Sequence, residues 1–252
     1  METRDALFQQ LLRLADDCLV LGHRVSEWCG HAPILEEDMA MPNMALDLIG
    51  QARSLYAYAG EVEGKGRGED DLAYLRSDRE YGNLLLVERP NGDFAQTMLR
   101  QLYFAAFMEP YWREAQASAD ETLAGIAGKA VKEMAYHIRH AGEWVIRMGD
   151  GTEESARRMA DAVEALAPYT DELFETDTVT QTLAAAGLAP DPASLRAEWD
   201  RTIDMVFSEA RLQHSEVRYP QTGGRAGLHG EDLGHLLSDL QYMQRTYPGL
   251  NW

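Results

Sequence analysis

The side chains most able to hold a metal or move a proton here are seven histidines and two cysteines, set among 42 acidic residues. A Glu-x-x-His spacing on a helix puts carboxylate and imidazole on one face, where both reach the same ion. Two such pairs, plus a Glu from each of two further helices, build the di-iron site of a four-helix bundle. The chain lacks that signature. Three residues before His23, His31, His137, His140, His214 and His229 stand Val20, Trp28, Met134, His137, Arg211 and Ala226. Only His235 has an acid there, Asp232. That pair opens the last helix, where a first-turn acid serves the helix dipole.

A sparser polar set remains at matching depths. If two helices turn near residue 32, Asp47 falls level with Asp16 and Asp17; if two more turn near 117, Glu133 falls level with Gln101. His137 lies one turn beyond Glu133 on the same stripe. The motif slots read Asp47-Leu-Ile-Gly50 and Glu133-Met-Ala-Tyr136, so carboxylates persist while Gly and Tyr stand where imidazoles would be. Three readings are open. In the first, Asp16, Asp47, Gln101, Glu133 and His137 are solvated or form a satisfied network, buried acids needing partners such as Gln101, Tyr136 and His137. In the second they are a degenerate, empty metal site. In the third, Asp47, Glu133, His137 and His140 hold metal in an atypical shell.

Other chemistry is thin. Cys18 and Cys29 are eleven residues apart in one expected helix, ~16 Å along its axis and too far for a disulfide. No CxxC, GxGxxG, Walker or GxSxG motif is present. Thr222-Gly223-Gly224-Arg225 is either a turn ahead of a helix or a phosphate grip built from backbone N–H groups and Arg225.

The elements that must position these residues are helical. Leu7, Leu11, Leu14, Cys18, Leu21, Val25 and Trp28 step by four and three, which predicts a helix over 5–29 ended by Gly30 and Pro33. A second covers 34–60, with Pro42 kinking or restarting it. A solvated acidic, Gly-rich loop follows. Residues 69–92 are poorly legible, and Asn83–Glu88 could be extended or helical. After the Pro90-Asn91-Gly92 turn, Asp93 caps a third helix to about 116, bent at Pro110. A fourth runs 119–148 through Ile126, Ala130, Met134, His137, Ala141 and Trp144. Shorter helices are expected over 152–174, 177–187 and 192–213, a loop over 214–230, and a last amphipathic helix through Met243. Trp28, Trp112 and Trp144 read as core. No strand is expected. The pattern predicts an all-α chain: one domain over 1–252, an antiparallel four-helix bundle with additional C-terminal helices.

The formal charge of −19 in 252 residues excludes nucleic-acid partners, which need Lys and Arg against phosphate. It also disfavours anionic membranes. Neither a signal peptide nor a spanning run is recognisable, so a cytoplasmic location is expected.

The runs Glu27-Trp-Cys-Gly-His-Ala-Pro33, Leu46-Asp-Leu-Ile-Gly-Gln-Ala-Arg53, Asn83–Asp93 and Tyr136-His-Ile-Arg139 resemble the PaaC-type subunits of multicomponent phenylacetyl-CoA epoxidases. Thr222-Gly-Gly and Gly227-Leu-His229 continue a collinear match over nearly the whole chain. The resemblance implies a ferritin-like fold and a structural, non-catalytic role in a monooxygenase of phenylacetate degradation. It implies a related catalytic PaaA-type partner holding the di-iron centre, and a separate flavin and iron–sulfur reductase. It transfers no catalytic residue and no cofactor to this chain, and no activity is expected of the chain alone. An active di-metal oxidase and a stand-alone helical binding module are the competing expectations.

Overall fold

The structure, a computed structural model, describes residues 1–250, and every regular element among them is helical. Four long helices dominate: α1 (Thr3–Ser26), α2 (Leu35–Glu63), α5 (Phe94–Ala115) and α6 (Glu121–Gly149). Short α3 (Glu69–Tyr74) and α4 (Leu85–Glu88) lie in the α2–α5 connection. After the long helices come α7 (Glu153–Leu166), α8 (Thr178–Ala185), α9 (Arg196–Ala210), α10 (Glu231–Leu240) and α11 (Tyr242–Thr246).

The apolar stripes form the expected helices because their spacing buries one face. Leu11, Leu14, Cys18, Leu21 and Val25 are all within 1% of full burial. Helix α1 ends at Ser26, so Trp28 lies beyond it, packed edge-to-face on Phe94, which meets Trp144 in the same way. Pro42 neither breaks nor restarts α2. A proline removes one N–H from the ladder, and Asn43 Nδ2 donates to the Met39 carbonyl in the turn beside it at 2.8 Å. Asp93 caps α5 through the Gln96 N–H, as its position predicts. The Asn83–Glu88 run resolves into the single helical turn of α4.

Other helix boundaries also differ from expectation. The helix expected to reach 174 stops at Leu166, because Pro168 cannot extend it, and two 3-10 turns carry the chain to Phe174. The 192–213 helix opens as a 3-10 turn at Pro192–Leu195 and ends at Ala210, with Arg211 in the left-handed region at φ 56°.

The connections make α1–α2 and α5–α6 two antiparallel hairpins, joined through α2 on α6; α7 and α9 pack on α5 and α6, and α8 packs on α1. One apolar cluster runs from Ala6 to Leu237. At Gly22, a Cβ would lie 3.1 Å from Ile49 Cγ1, so the absent side chain lets α1 and α2 approach closely.

Candidate functional site

Two polar arms occupy the middle of the long helices. In the first, Gln51 of α2 donates through Nε2 to Glu133 of α6 at 2.8 Å and lies 3.7 Å from the Cys18 thiol of α1 through Oε1. Burial, then the charges of Asp17 and Glu133, push the Cys18 thiol well above its usual pKa, so it stays a protonated donor to the amide oxygen. Lys129, one turn before Glu133, sits 3.4 Å from the other carboxylate oxygen.

In the second arm Gln101 of α5 meets His137 of α6, amide nitrogen to Nδ1, at 2.9 Å. An amide nitrogen only donates, so Nδ1 accepts and the proton sits on Nε2. Nε2 faces Asp47 of α2 at 3.2 Å and donates to it. Gln101 and His137 are fully buried, and Gln101 Oε1 has no hydrogen-bond partner. His140 is held apart from this arm, 2.8 Å from Glu37. Tyr136 is exposed and makes no part of the network; its ring lies beside His137 and His140.

The fold invites a di-iron centre between these helices, and the donors do not fit one. A thiol held protonated, two neutral amides and one imidazole stand where four carboxylates and two imidazoles are required. The remaining carboxylates are engaged, Glu133 by Gln51 and Lys129, and Asp47 by His137. Both His137 nitrogens are used. Among the described residues no group of three or more His, Cys, Asp or Glu is placed to hold a metal ion.

Asp16 is not part of this site. It faces the other way, into a buried cluster with Arg76 and the Tyr56 hydroxyl, and accepts from the Gly82 N–H at 2.8 Å. The Arg76 guanidinium also stacks 4.3 Å from the Tyr81 ring centre. Asp17 beside it accepts from the Leu84 N–H at 2.7 Å and from Arg225 at 2.8 Å. Burial raises the Asp17 pKa to about 6, against the opposing pull of Arg225.

This second cluster fixes the C-terminal loop, and sequence spacing gives no hint of it as a unit. Three buried carboxylates hold residues 223–230 down on the bundle. Glu172 accepts from the Gly223 and Gly224 N–H groups at 3.0 and 2.7 Å. Asp17 takes Arg225. Glu88 takes His229 Nδ1 at 2.8 Å and the Gly230 N–H at 2.7 Å. The Thr222–Arg225 segment therefore grips an anion, and the anion is the chain's own Glu172 carboxylate. No phosphate is needed to satisfy it. The one local signal is the Asp16–Asp17 pair inside the otherwise apolar run from Leu14 to Leu21, since adjacent acids there demand cationic partners.

The chain matches the PaaA/PaaC family model, described as phenylacetic acid catabolic protein, over residues 1–252. It is 45% identical over 241 residues to the component designated C of the 1,2-phenylacetyl-CoA epoxidase of Escherichia coli (strain K12), a match covering 96% of this chain and 97% of that one. No helix among the described residues is long and apolar enough to cross a membrane. By length and identity of match, this chain belongs to the PaaA/PaaC family of phenylacetic acid catabolic proteins.

Proposed function

We propose that this chain is the structural subunit of a multicomponent phenylacetyl-CoA epoxidase, a ferritin-like bundle that supports a related catalytic subunit and does no oxygen chemistry itself. The observation that carries this reading is the donor set at mid-bundle. Cys18, Gln51 and Gln101 present a protonated thiol and neutral amides, which are poor ligands for the hard, high-charge irons of an oxygenase. The di-iron centre then resides in the PaaA-type partner, electrons reach that partner from a flavin and iron–sulfur reductase, and the assembly works in the cytoplasm. The polar arms act as struts between α1, α2, α5 and α6.

Two measurements test the reading together. The purified chain is expected to carry no stoichiometric iron or manganese, and co-expression with the catalytic subunit is expected to give a complex that survives gel filtration. About two metals per chain, lost in Glu133→Ala, would instead assign a di-metal site.

A further inference from the structure

A cavity of about 60 Å³ lies between α1, α5 and the segment that leads into α8. Gln10, Leu14, Phe107 and Tyr111 form its floor, all of them buried. Glu175 and Thr176 at its rim are exposed. A water takes roughly 30 Å³ in the liquid, so the space admits a few non-hydrogen atoms and excludes a ring or a phosphate.

The floor carries an unmet acceptor. Gln10 is only 5% exposed, its Nε2 donates to the Tyr111 hydroxyl at 3.0 Å, and its Oε1 has no hydrogen-bond partner in the protein. A buried amide oxygen without a donor is costly, so the group that fills the cavity has to donate to it. The wall is also short of positive charge. Glu172, Glu175 and Asp177 line it with Arg13 and Arg225. Asp177 takes Arg13, and Asp17, behind the wall, takes Arg225. Among the described residues Glu172 and Glu175 accept only from the Leu85, Gly223 and Gly224 N–H groups and the Thr222 hydroxyl. These four acids and two arginines leave two negative charges without a cation. Burial raises the Glu172 pKa, and with that carboxyl protonated one negative charge still remains.

This balance is against an anion. Turning the Gln10 amide over would present its N–H groups and call for an acceptor, which the same balance disfavours if it is anionic. A metal ion does not fit, since among the described residues no three His, Cys, Asp or Glu side chains are placed to hold one. What fits is a compact cation that donates hydrogen bonds.

We propose that this cavity is a binding site for a primary ammonium on an alkyl chain, whose –NH₃⁺ group donates to Gln10 Oε1 while Glu172 and Glu175 compensate its charge. The methylenes lie against Leu14 and Phe107, and the rest of the chain leaves through the rim. A free alkylamine and a lysine side chain of another polypeptide share this chemistry. The site stands apart from the supporting role proposed above and does not depend on it.

The test uses n-butylammonium, butyrate and butyramide, which match in length and differ in charge and donors. Each is titrated into the purified full chain at low salt and followed by proton–nitrogen NMR. n-Butylammonium is expected to bind with a dissociation constant of about 1 mM, within reach of so small a ligand, and to shift the Gln10 side-chain amide. Gln10→Leu, which keeps the bulk and removes the oxygen, is expected to weaken binding at least about 10-fold. Glu175→Gln, at an exposed position where folding is not at stake, is expected to weaken it about 3-fold. Glu209→Gln, exposed on α9 and away from the wall, is the control for charge alone and is expected to bind as the parent does. Circular dichroism of Gln10→Leu guards against misfolding. Nα-acetyl-lysine methylamide separates the two sources: if it binds as n-butylammonium does, the site takes a polypeptide side chain, and if only n-butylammonium binds, it takes a free amine. No shift at Gln10 by about 50 mM n-butylammonium overturns the proposal, leaving a cavity that holds only water. Undiminished binding in Gln10→Leu, an equal loss in Glu209→Gln, or equally tight binding of butyrate or butyramide overturns it as well.

Discussion

Buried ionic groups decide most of what single residues do in this chain. Arg76 and Asp16 are 3% and 0% exposed and bonded to each other, so removing one strands the other's charge. Arg76→Ala is expected to destabilise the fold by about 3–5 kcal/mol, the range for an unpaired buried charge. Asp16→Asn strands the Arg76 guanidinium in turn, but Arg76 keeps the Leu72 and Glu80 carbonyls and the Tyr81 ring, so this variant should cost less. Urea unfolding of both variants checks the order. An equal, small cost for both would mean that water reaches the cluster.

His229 gives a pH-dependent counterpart. Burial lowers its pKa, but Glu88, then the Tyr81 carbonyl, outweigh that and leave it raised. Both ring nitrogens face acceptors, Glu88 at 2.8 Å and the Tyr81 carbonyl at 2.9 Å, so the charged imidazolium is the form the site holds. A raised folded-state pKa gives stability that is full below the unfolded value and lost as pH rises through the folded one. The stability difference between the parent and His229→Gln should therefore be largest near about pH 5.5 and shrink as pH climbs past the raised value. Asp17 titrates in both proteins and cancels in the difference. A gap that widens with pH would show that the neutral imidazole is the bound form.

At the scale of elements, the C-terminal loop is a strap, and its glycines are what let it lie flat. A Cβ on Gly224 would come within 2.2 Å of the Asn83 carbonyl oxygen, and one on Gly227 within 2.4 Å of the Arg79 oxygen, where φ is also 73°. Gly224→Ala must push the strap off the bundle and pull its N–H away from Glu172, itself 2% exposed. The expected outcome is a loss of several kcal/mol, since an unpaired buried carboxylate is costly. It should appear with faster amide exchange over 222–230 than over α1. Gly234, with nothing within 4 Å of its position, should accept alanine without loss.

The long helices were legible because their burial follows a period the sequence carries openly. The stripes of α1, α5 and α6, with Asp93 as a cap, were readable from spacing alone. Segments fixed by distant partners were not. Residues 76–88 and 222–230 take their path from Asp16, Asp17, Glu88 and Glu172, which lie up to 208 positions from the groups they hold. No local pattern records such a pairing. The candidate site was half legible for the same reason. Asp47, Gln101, Glu133 and His137 were placed by depth along antiparallel helices; His137 bonds Gln101 and Asp47, while Glu133 bonds Gln51 in a separate arm. Asp16 shares that depth but faces outward from the hairpin toward Arg76, and Gln51, the link to Glu133, looks like an ordinary helical amide.

Across the whole molecule, the strap makes the two hairpins depend on one another. Asp17 belongs to the first hairpin, Glu88 to the connection, and Glu172 to the segment after the second. One loop satisfies all three. Unfolding of the intact chain is therefore expected to be a single transition in calorimetry, with calorimetric and van't Hoff enthalpies equal. Ending the chain at residue 213 removes the strap partners of all three carboxylates at once and leaves only the Leu84 and Leu85 N–H groups and the Asn83 amide on them, although most of the apolar cluster from Ala6 to Phe207 stays covalently intact. If apolar burial alone held the hairpins together, such a truncation would lower the midpoint only modestly. With three buried carboxylates stripped of Arg225, His229 and the strap N–H groups, the midpoint should instead fall by well over ten degrees, since about 1 kcal/mol shifts a chain of this size by roughly 2–4 °C. Acid should partly restore the truncated chain, because protonating Asp17 and Glu172, whose pKa values burial already raises, removes the uncompensated charge. Failure of acid to rescue it would place the coupling in the strap's apolar contacts rather than in its ion pairs.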